Sequence, residues 1–323
     1  MWNGHAGDGR SRSGTDPVTE PYAEWDLDID PRAFDLVAST VVSELGSCVA
    51  RHHATRTGEH ATIFLHGAAG TWTTWTPLLR AAAAEGVAVA DPVLVDLPGW
   101  GDAELTRDES VVSITAVAAL VAQAARSLGY TSWTVIGHSL GGLVAMQLAA
   151  RSPHETAGVG MISGTTFAVI RSVEHPVRHF RDVPAFTMLL GVMRSLARFG
   201  VVGRRLVVLV GRTGLLRVIF APLFRHARRI PRSLIEATAR DLRPRSFVIA
   251  ADATRGYDPR SEWSTIRCPV RATRGDRDVF VTDRDLAELE SAVPGSRVTV
   301  IEDCGHFATI ERPRAVLRAL GLA

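Results

Sequence analysis

Lysine is absent from this chain of 323 residues, so all 36 basic residues are arginine. We attribute this absence to the codon bias of a GC-rich genome rather than to function. The arginines are balanced by 34 acidic residues, which leaves a formal net charge of only +2. A nearly neutral chain with no recognised nucleic-acid-binding motif is not expected to bind nucleic acid.

Cysteine is scarce as well. The three cysteines, Cys48, Cys268 and Cys304, are odd in number and far apart in the chain, which argues against a disulfide framework or a cysteine metal cluster. A reduced, cytoplasmic location is the simplest expectation. We predict neither a metal nor an organic cofactor.

Long apolar runs are also missing. No apolar segment follows the first methionine, which argues against a secretory signal. No run approaches the roughly 18 to 20 residues of a transmembrane helix. Residues 1–35 hold eight carboxylates and three arginines among glycine, serine and proline. They are predicted to form a flexible acidic arm, with local order around Trp25 and Leu27 as an alternative.

The whole chain is 46% hydrophobic, and after residue 35 it alternates between strand-like and helix-like segments. Strands are predicted at 47–54, 61–65, 92–95, 133–136, 158–162, 269–273 and 297–301. Helices are predicted at 75–84, 111–128, 143–150, 283–292 and 314–320. Strands separated by helices, without hairpin signals, indicate an α/β fold with a mostly parallel sheet covered on both faces.

Residues 165–255 break this alternation. They hold seventeen arginines against five carboxylates, and their apolar residues recur at helical spacing. We predict a helical cap inserted after the sixth strand, between core segments 36–164 and 256–323. The arginines could bind an anionic substrate group, contact an acidic membrane surface or solvate the outer face of the cap helices. The solvated face is the interpretation we favour.

The most informative stretch is Gly137-His138-Ser139-Leu140-Gly141-Gly142. It follows a short buried strand and precedes a helical pattern of small residues. The spacing Gly-x-Ser-x-Gly fits a nucleophile elbow, in which a strained strand-to-helix turn exposes a serine hydroxyl. The amide of Leu140, at the following helix N-terminus, can point at a developing oxyanion.

Two later loops carry the other groups that an activated serine needs. Asp276 and Asp278 follow the strand at 269–273, and His306 follows the strand at 297–301. Loops at the carboxyl ends of parallel strands open on one edge of the sheet, so these side chains can meet Ser139. The histidine would act as a general base, and an aspartate would fix its tautomer.

Taken together, these motifs resemble the α/β-hydrolase superfamily, in its capped, ester-hydrolase-like branch. The resemblance covers residues 60–165 and 265–323. It rests on His66-Gly67, Asp96-x-x-Gly99-x-Gly101, Gly137-His138-Ser139-Leu140-Gly141-Gly142, Gly275-x-x-Asp278, and Gly305-His306 followed by Glu311-x-Pro313.

The resemblance implies that Ser139 is the nucleophile, His306 the base and Asp278 the acid. Asp278 is preferred to Asp276 because the family's acid usually falls three residues after the glycine. The amide of Ala68 would be the second oxyanion donor beside that of Leu140.

The implied activity is hydrolysis of carboxylic esters with hydrophobic acyl or aryl groups, through an acyl-enzyme intermediate. A carbon–carbon bond hydrolase, a lactonase or a cofactor-free perhydrolase would keep the same triad. A non-catalytic binding protein on this fold is a further alternative. Dehalogenase and epoxide hydrolase chemistry is disfavoured, because those relatives use an aspartate where this chain has Ser139.

Candidate substrate contacts come from the loops and from the cap. His138 is interpreted as a neighbour of the elbow that lines the pocket and not as a second base. Apolar cap residues would roof the pocket. The full set of predicted contacts is Trp72, Trp100, His138, Phe186, Leu189 and Phe307. We expect a small-molecule ester as the partner, and a monomer or homodimer.

Overall fold

A computed structural model describes residues 20–323. Its centre is one eight-stranded sheet in the order β1-β2-β4-β3-β5-β6-β7-β8. The strands are β1 (Leu36–Ser43), β2 (Gly46–His53), β3 (His60–Leu65), β4 (Pro92–Asp96), β5 (Ser132–His138), β6 (Thr156–Ile162), β7 (Val270–Gly275) and β8 (Arg297–Ile301).

Only β2 runs against its neighbours, since it pairs antiparallel with both β1 and β4. Every pair from β4 to β8 is parallel. The mostly parallel sheet is therefore confirmed. The β1–β2 hairpin was not predicted, because its turn carries only one weak signal, Gly46. This glycine has φ +107°, and a Cβ there would lie 2.4 Å from the Glu104 carbonyl oxygen.

Thirteen α-helices lie among the described residues. The first three are α1 (Thr76–Ala84), α2 (Ile114–Ser127) and α3 (Leu140–Arg151). Between β6 and β7 come α4 (Phe167–Glu174), α5 (Pro184–Arg198), α6 (Gly200–Arg212), α7 (Leu215–Ile219), α8 (Arg232–Asp241), α9 (Pro244–Asp252) and α10 (Pro259–Trp263). The last three are α11 (Asp283–Ala292), α12 (Ala308–Glu311) and α13 (Pro313–Leu320).

Both faces of the sheet are buried. Leu65 and Val135 pack in a core with α2 and α3, whereas their neighbours Phe64 and Ile136 pack on the opposite face with α1 and α13. Successive strand residues point to opposite faces, so a strand that is apolar at every position must be covered on both sides. This is why β3 and β5 appear in the sequence as continuous apolar runs.

The segment between β6 and β7 is the predicted helical insertion. Helices α4 to α9 form a separate apolar cluster that includes Phe186, Leu190 and Phe247. Phe280, from the loop after β7, and Ile310, from α12, belong to the same cluster. The insertion is therefore packed over the edge at which the strands end.

The structure describes the later part of the segment predicted as a flexible arm, which includes Trp25 and Leu27. Residues 20–35 lie against the body of the protein, where Tyr22 donates to Glu311 (2.6 Å) and the Leu27 amide donates to Ser233 Oγ (3.0 Å). Glu24 pairs with Arg314 of α13 (3.1 Å). Residues 1–19 of the predicted arm lie outside the described residues. No helix in the range 20–323 is long and apolar enough to cross a membrane.

Candidate active site

Ser139 occupies the turn that joins β5 to α3. Its backbone has φ 52° and ψ −118°, a conformation that a residue with a side chain adopts only at a cost and that clusters at functional sites. A Cβ on Gly137 would lie 2.1 Å from the Gly141 carbonyl oxygen, and one on Gly141 would lie 2.0 Å from the Leu65 carbonyl oxygen. The glycines of the motif are therefore required by close backbone approach.

The loop after β3 lies directly against this serine. A Cβ on Gly67 would lie 2.8 Å from Ser139 Cβ. Ala68 and Leu140, the two predicted oxyanion donors, line the same cavity as Ser139. Leu140 is the first residue of α3, so its amide has no acceptor within the helix and carries the positive end of the helix dipole.

His66 holds the loop after β3 in place. Its Nε2 accepts from the Leu97 amide (3.0 Å), so its Nδ1 carries the proton and donates to the Gly67 carbonyl oxygen (2.7 Å). Burial lowers the His66 pKa, so the ring is neutral at physiological pH. Its two hydrogen bonds fix the position of the loop.

His306 and Asp278 form a buried pair. His306 Nδ1 lies 3.0 and 3.1 Å from the two carboxylate oxygens, and the two side chains are 4% and 0% exposed. Burial alone would raise the Asp278 pKa, but the His306 charge and hydrogen bond, with the Phe280 amide, hold it below its usual value. Asp278 is therefore ionised, and it orients the imidazole through Nδ1.

Asp276, the alternative acid, has a different contact. Its Oδ1 accepts from the Cys304 amide at 2.9 Å. It therefore braces the loop that carries His306 and does not contact the imidazole. The two loops also approach closely, since a Cβ on Gly275 would lie 2.2 Å from the Gly305 carbonyl oxygen. The geometry favours Asp278 as the partner of His306.

Glu311 fixes the loop that carries His306. Its carboxylate accepts from the amides of Gly305 (2.9 Å), Phe307 (3.1 Å) and Arg225 (2.8 Å), and from the Tyr22 hydroxyl. It is fully buried, and burial raises its pKa. We did not assign this role from the sequence, although Glu311-x-Pro313 was part of the motif set and could have indicated it.

His138 lies beside the pair as a neutral ring. Burial, with the nearby His306, lowers its pKa to about 3. Its Nε2 is 3.0 Å from the His306 carbonyl oxygen, so Nε2 must be the protonated nitrogen that donates. Nδ1 is then an acceptor, and it has no hydrogen-bond partner among the described residues.

One apolar cavity contains Ser139 and His306 together. Of the predicted substrate contacts, it is lined by His138, Phe186, Leu189 and Phe307. The lining also includes residues that were not predicted. Phe280 comes from the loop after β7, and the others come from the segment between β6 and β7, whose packing the sequence does not show: Thr165, Val169, Val173, Phe220, Leu223 and Phe247.

Trp72 and Trp100 do not line this cavity. The Trp72 ring lies under the Arg51 guanidinium, 4.9 Å from its centroid. Trp100 packs edge-on against His66, with ring centroids 6.0 Å apart, and lines a separate small cavity. Both indoles are buried in the core, where burial of a large aromatic side chain is favourable. Their prediction as substrate contacts was therefore wrong.

Comparisons with known proteins point to one family. A model described as the alpha/beta hydrolase family matches residues 62–319. The esterase Rv0045c of Mycobacterium tuberculosis is 27% identical over 270 residues, which are 79% of each chain. RutD of Escherichia coli O157:H7, provisionally named a carbamate hydrolase, is 27% identical over 259 residues, 78% of this chain and 86% of its own.

The fold is shared with solved structures as well. A thermophilic esterase from Thermogutta terrifontis superposes with a TM-score of 0.62 at 20% identity, over 88% of this chain and 96% of that one. The family match spans most of the chain. The chain belongs to the alpha/beta hydrolase family.

Proposed function

We propose that this protein is a serine hydrolase that cleaves carboxylic esters of hydrophobic acyl or aryl substrates. The observation that carries the proposal is the buried His306–Asp278 hydrogen bond at 3.0 Å, in the same cavity as the strained Ser139 turn. A serine, a histidine and a carboxylate in this relation form the machinery of acyl transfer.

In the proposed first step, Ser139 Oγ attacks the ester carbonyl carbon and His306 takes the hydroxyl proton. Asp278 stabilises the resulting imidazolium, and the Ala68 and Leu140 amides stabilise the oxyanion. The carbon–oxygen bond to the alcohol then breaks, and His306 gives the alcohol its proton. Water repeats the sequence on the acyl-enzyme and releases the acid, so Ser139 is regenerated.

The hydrophobic substrate class follows from the cavity lining. Val169, Phe186 and Phe247 belong to helices of the insertion and line the cavity that contains Ser139. We propose that the insertion is a cap that covers bound substrate. An apolar cover favours hydrophobic acyl or aryl groups. It also limits the water that would compete with the substrate for contacts in the cavity.

The test is hydrolysis of p-nitrophenyl esters from acetyl to palmitoyl. Ser139→Ala and Asp278→Asn should each lower kcat by about 10⁴-fold or more, because these groups act as a unit. Asp276→Asn is the matched control and should keep most of the activity. The assignment fails if Asp276→Asn is the inactive variant, or if Ser139→Ala still reacts with a fluorophosphonate.

Carbamates are a second candidate substrate class. The similarity to RutD, at 27% identity, suggests them. A p-nitrophenyl carbamate compared with the ester of the same acyl length separates the two classes. Faster turnover of the carbamate, lost on Ser139→Ala, would favour this second class.

A further inference from the structure

The outer helices α5, α6 and α7 expose apolar side chains to an unusual degree. Val201 and Val202 are each 68% exposed, Leu206 is 49% and Leu209 is 58%. Helix α6 buries only Gly203 and Val207. Scattered apolar residues are normal on a protein surface, but a contiguous apolar face indicates a binding partner. We call the exposed apolar residues of these three helices the outer face: Met188 and Val192 of α5, Val201, Val202, Leu206 and Leu209 of α6, and Leu215, Val218 and Ile219 of α7.

The charge of this region has one sign. From Val183 to Ile235 the sequence holds ten arginines and no carboxylate. Some of these arginines have partners elsewhere, such as Arg194 with Asp252 and Arg225 with Asp303. Others, among them Arg198, Arg205 and Arg212, are exposed and make no hydrogen bond or ion pair with any of residues 20–323.

Arginine and apolar side chains share one side of α6. Leu206 lies four residues after Val202, and Leu209 lies three residues after Leu206. Arg205 and Arg212 lie on either side of Leu209, four residues before it and three after it. All of these positions are exposed. Residues three and four apart are neighbours on a helix surface. Guanidinium groups therefore border apolar side chains along the whole helix.

We propose that the outer face is a docking surface for an anionic lipid bilayer. Apolar side chains enter the boundary between headgroups and acyl chains, while the bordering arginines bind lipid phosphates. A second copy of this chain fits less well, since a two-fold interface would bring the same arginines against each other. The proposal does not depend on ester hydrolysis.

The face also has a defined place relative to the candidate active site. A groove between α5, α6 and α7 is lined by exposed Met188, Val192 and Leu206. Its inner wall includes Leu189, Phe220 and Phe280, which also line the cavity that contains Ser139. Docking would turn this groove towards the acyl chains of the lipid.

The experiment is co-sedimentation of the full chain with vesicles of phosphatidylcholine alone or mixed equally with phosphatidylglycerol. The mixed vesicles should bind at least about tenfold more protein, because each arginine near an anionic surface strengthens binding roughly fivefold. About 0.5 M NaCl should remove most of that difference. Hydrogen exchange of α6 should slow when vesicles are present.

Two double variants separate the apolar and the charged parts. Val202→Ser with Leu206→Ser should weaken binding to the mixed vesicles about tenfold. Arg205→Gln with Arg212→Gln should weaken it roughly 25-fold, because each arginine contributes roughly fivefold. The matched control is Val37→Ser with Val42→Ser, at two exposed valines of β1, and it should bind like wild type. All six substituted positions are exposed, so the melting temperature of each variant should equal that of wild type. A lower melting temperature would reveal a misfolded variant.

Several outcomes overturn the proposal. Equal binding to neutral and anionic vesicles, or wild-type binding by both outer-face variants, would do so. A solution dimer that Val202→Ser with Leu206→Ser converts to a monomer, without vesicle binding, would assign the face to a second copy. Binding to poly-glutamate but to no vesicle would assign it to an acidic protein.

Discussion

Helix α3 buries eleven of its 12 residues, whereas helix α6 buries two of its 13. Around α3 the backbone approaches so closely that only glycine fits at Gly137 and Gly141. In α5, by contrast, a Cβ on Gly191 would meet nothing within 4 Å. The difference teaches that α3 is packed on every side, while the outer helices keep many of their apolar side chains available for contact.

The largest expected effect comes from adding one methyl group to the tight region. Gly141→Ala should destabilise the protein by about 3 kcal/mol or more, because the new Cβ would meet the Leu65 carbonyl oxygen at 2.0 Å and the backbone has no room to yield. Urea unfolding measures the change. A variant as stable as wild type would show that the turn can relax, and the contrast between the regions would not hold.

A second prediction concerns Glu311, which joins the loop of His306 to the Arg225 amide of the insertion. Glu311→Gln should lower stability by about 2 to 3 kcal/mol, because the amide NH₂ group would face amide donors of the histidine loop. The change should also lower kcat more than it alters KM, since it displaces His306. Glu288→Gln is a matched control, because that carboxylate is only partly buried and pairs with arginines of its surroundings. Equal losses in both variants would contradict the prediction.

The third prediction is that the pH dependence of stability distinguishes the two regions. Folded His138 stays neutral down to a pKa of about 3, whereas an unfolded histidine takes up a proton near pH 6.5. The unfolded state therefore binds more protons in this window, and stability falls as the pH drops through it. Arginines keep their charge throughout, so the outer face should contribute nothing.

Denaturant unfolding of wild type and His138→Gln at pH 6.5 and about pH 5 measures this term. Wild type should lose about 2 kcal/mol more than the variant over that interval. Equal losses in the two proteins would mean that His138 does not carry the pH dependence.

The smallest expected effect has the opposite sign. Gly191→Ala in α5 should stabilise the protein by about 0.5 to 1 kcal/mol, because alanine loses less backbone entropy in a helix and the added methyl group meets open space. Thermal melting beside Gly141→Ala makes a matched pair of identical substitutions. A destabilised Gly191→Ala would show that α5 is more tightly constrained than its surroundings indicate.

The sequence predicted the core better than the insertion. The bounds of α11 and β8 agree with the predicted 283–292 and 297–301, because each is a short periodic segment between clear turn signals. The Asp278–His306 contact was also predictable, since chain order and strand ends fix it. These features depend on local pattern and on sheet topology, and a single sequence carries both.

Features that depend on packing between distant segments were not predictable. The sequence does not show whether the Trp72 and Trp100 rings face the cavity or the core, because both choices bury an indole. The roles of Phe220 and Phe247 depend on how the insertion helices cross one another. The buried position of Tyr22 depends on a partner 289 residues away.

That contact between Tyr22 and Glu311 has a consequence for biosynthesis. The Ser139 turn can form once β3, β5, β6 and α3 have emerged from the ribosome, since its contacts lie within those elements. The His306 loop needs Glu311, and Glu311 joins it to Tyr22, which is made 289 residues earlier. A nascent chain therefore holds the serine before it can hold the imidazole, because the histidine loop is completed only when Glu311 has been made.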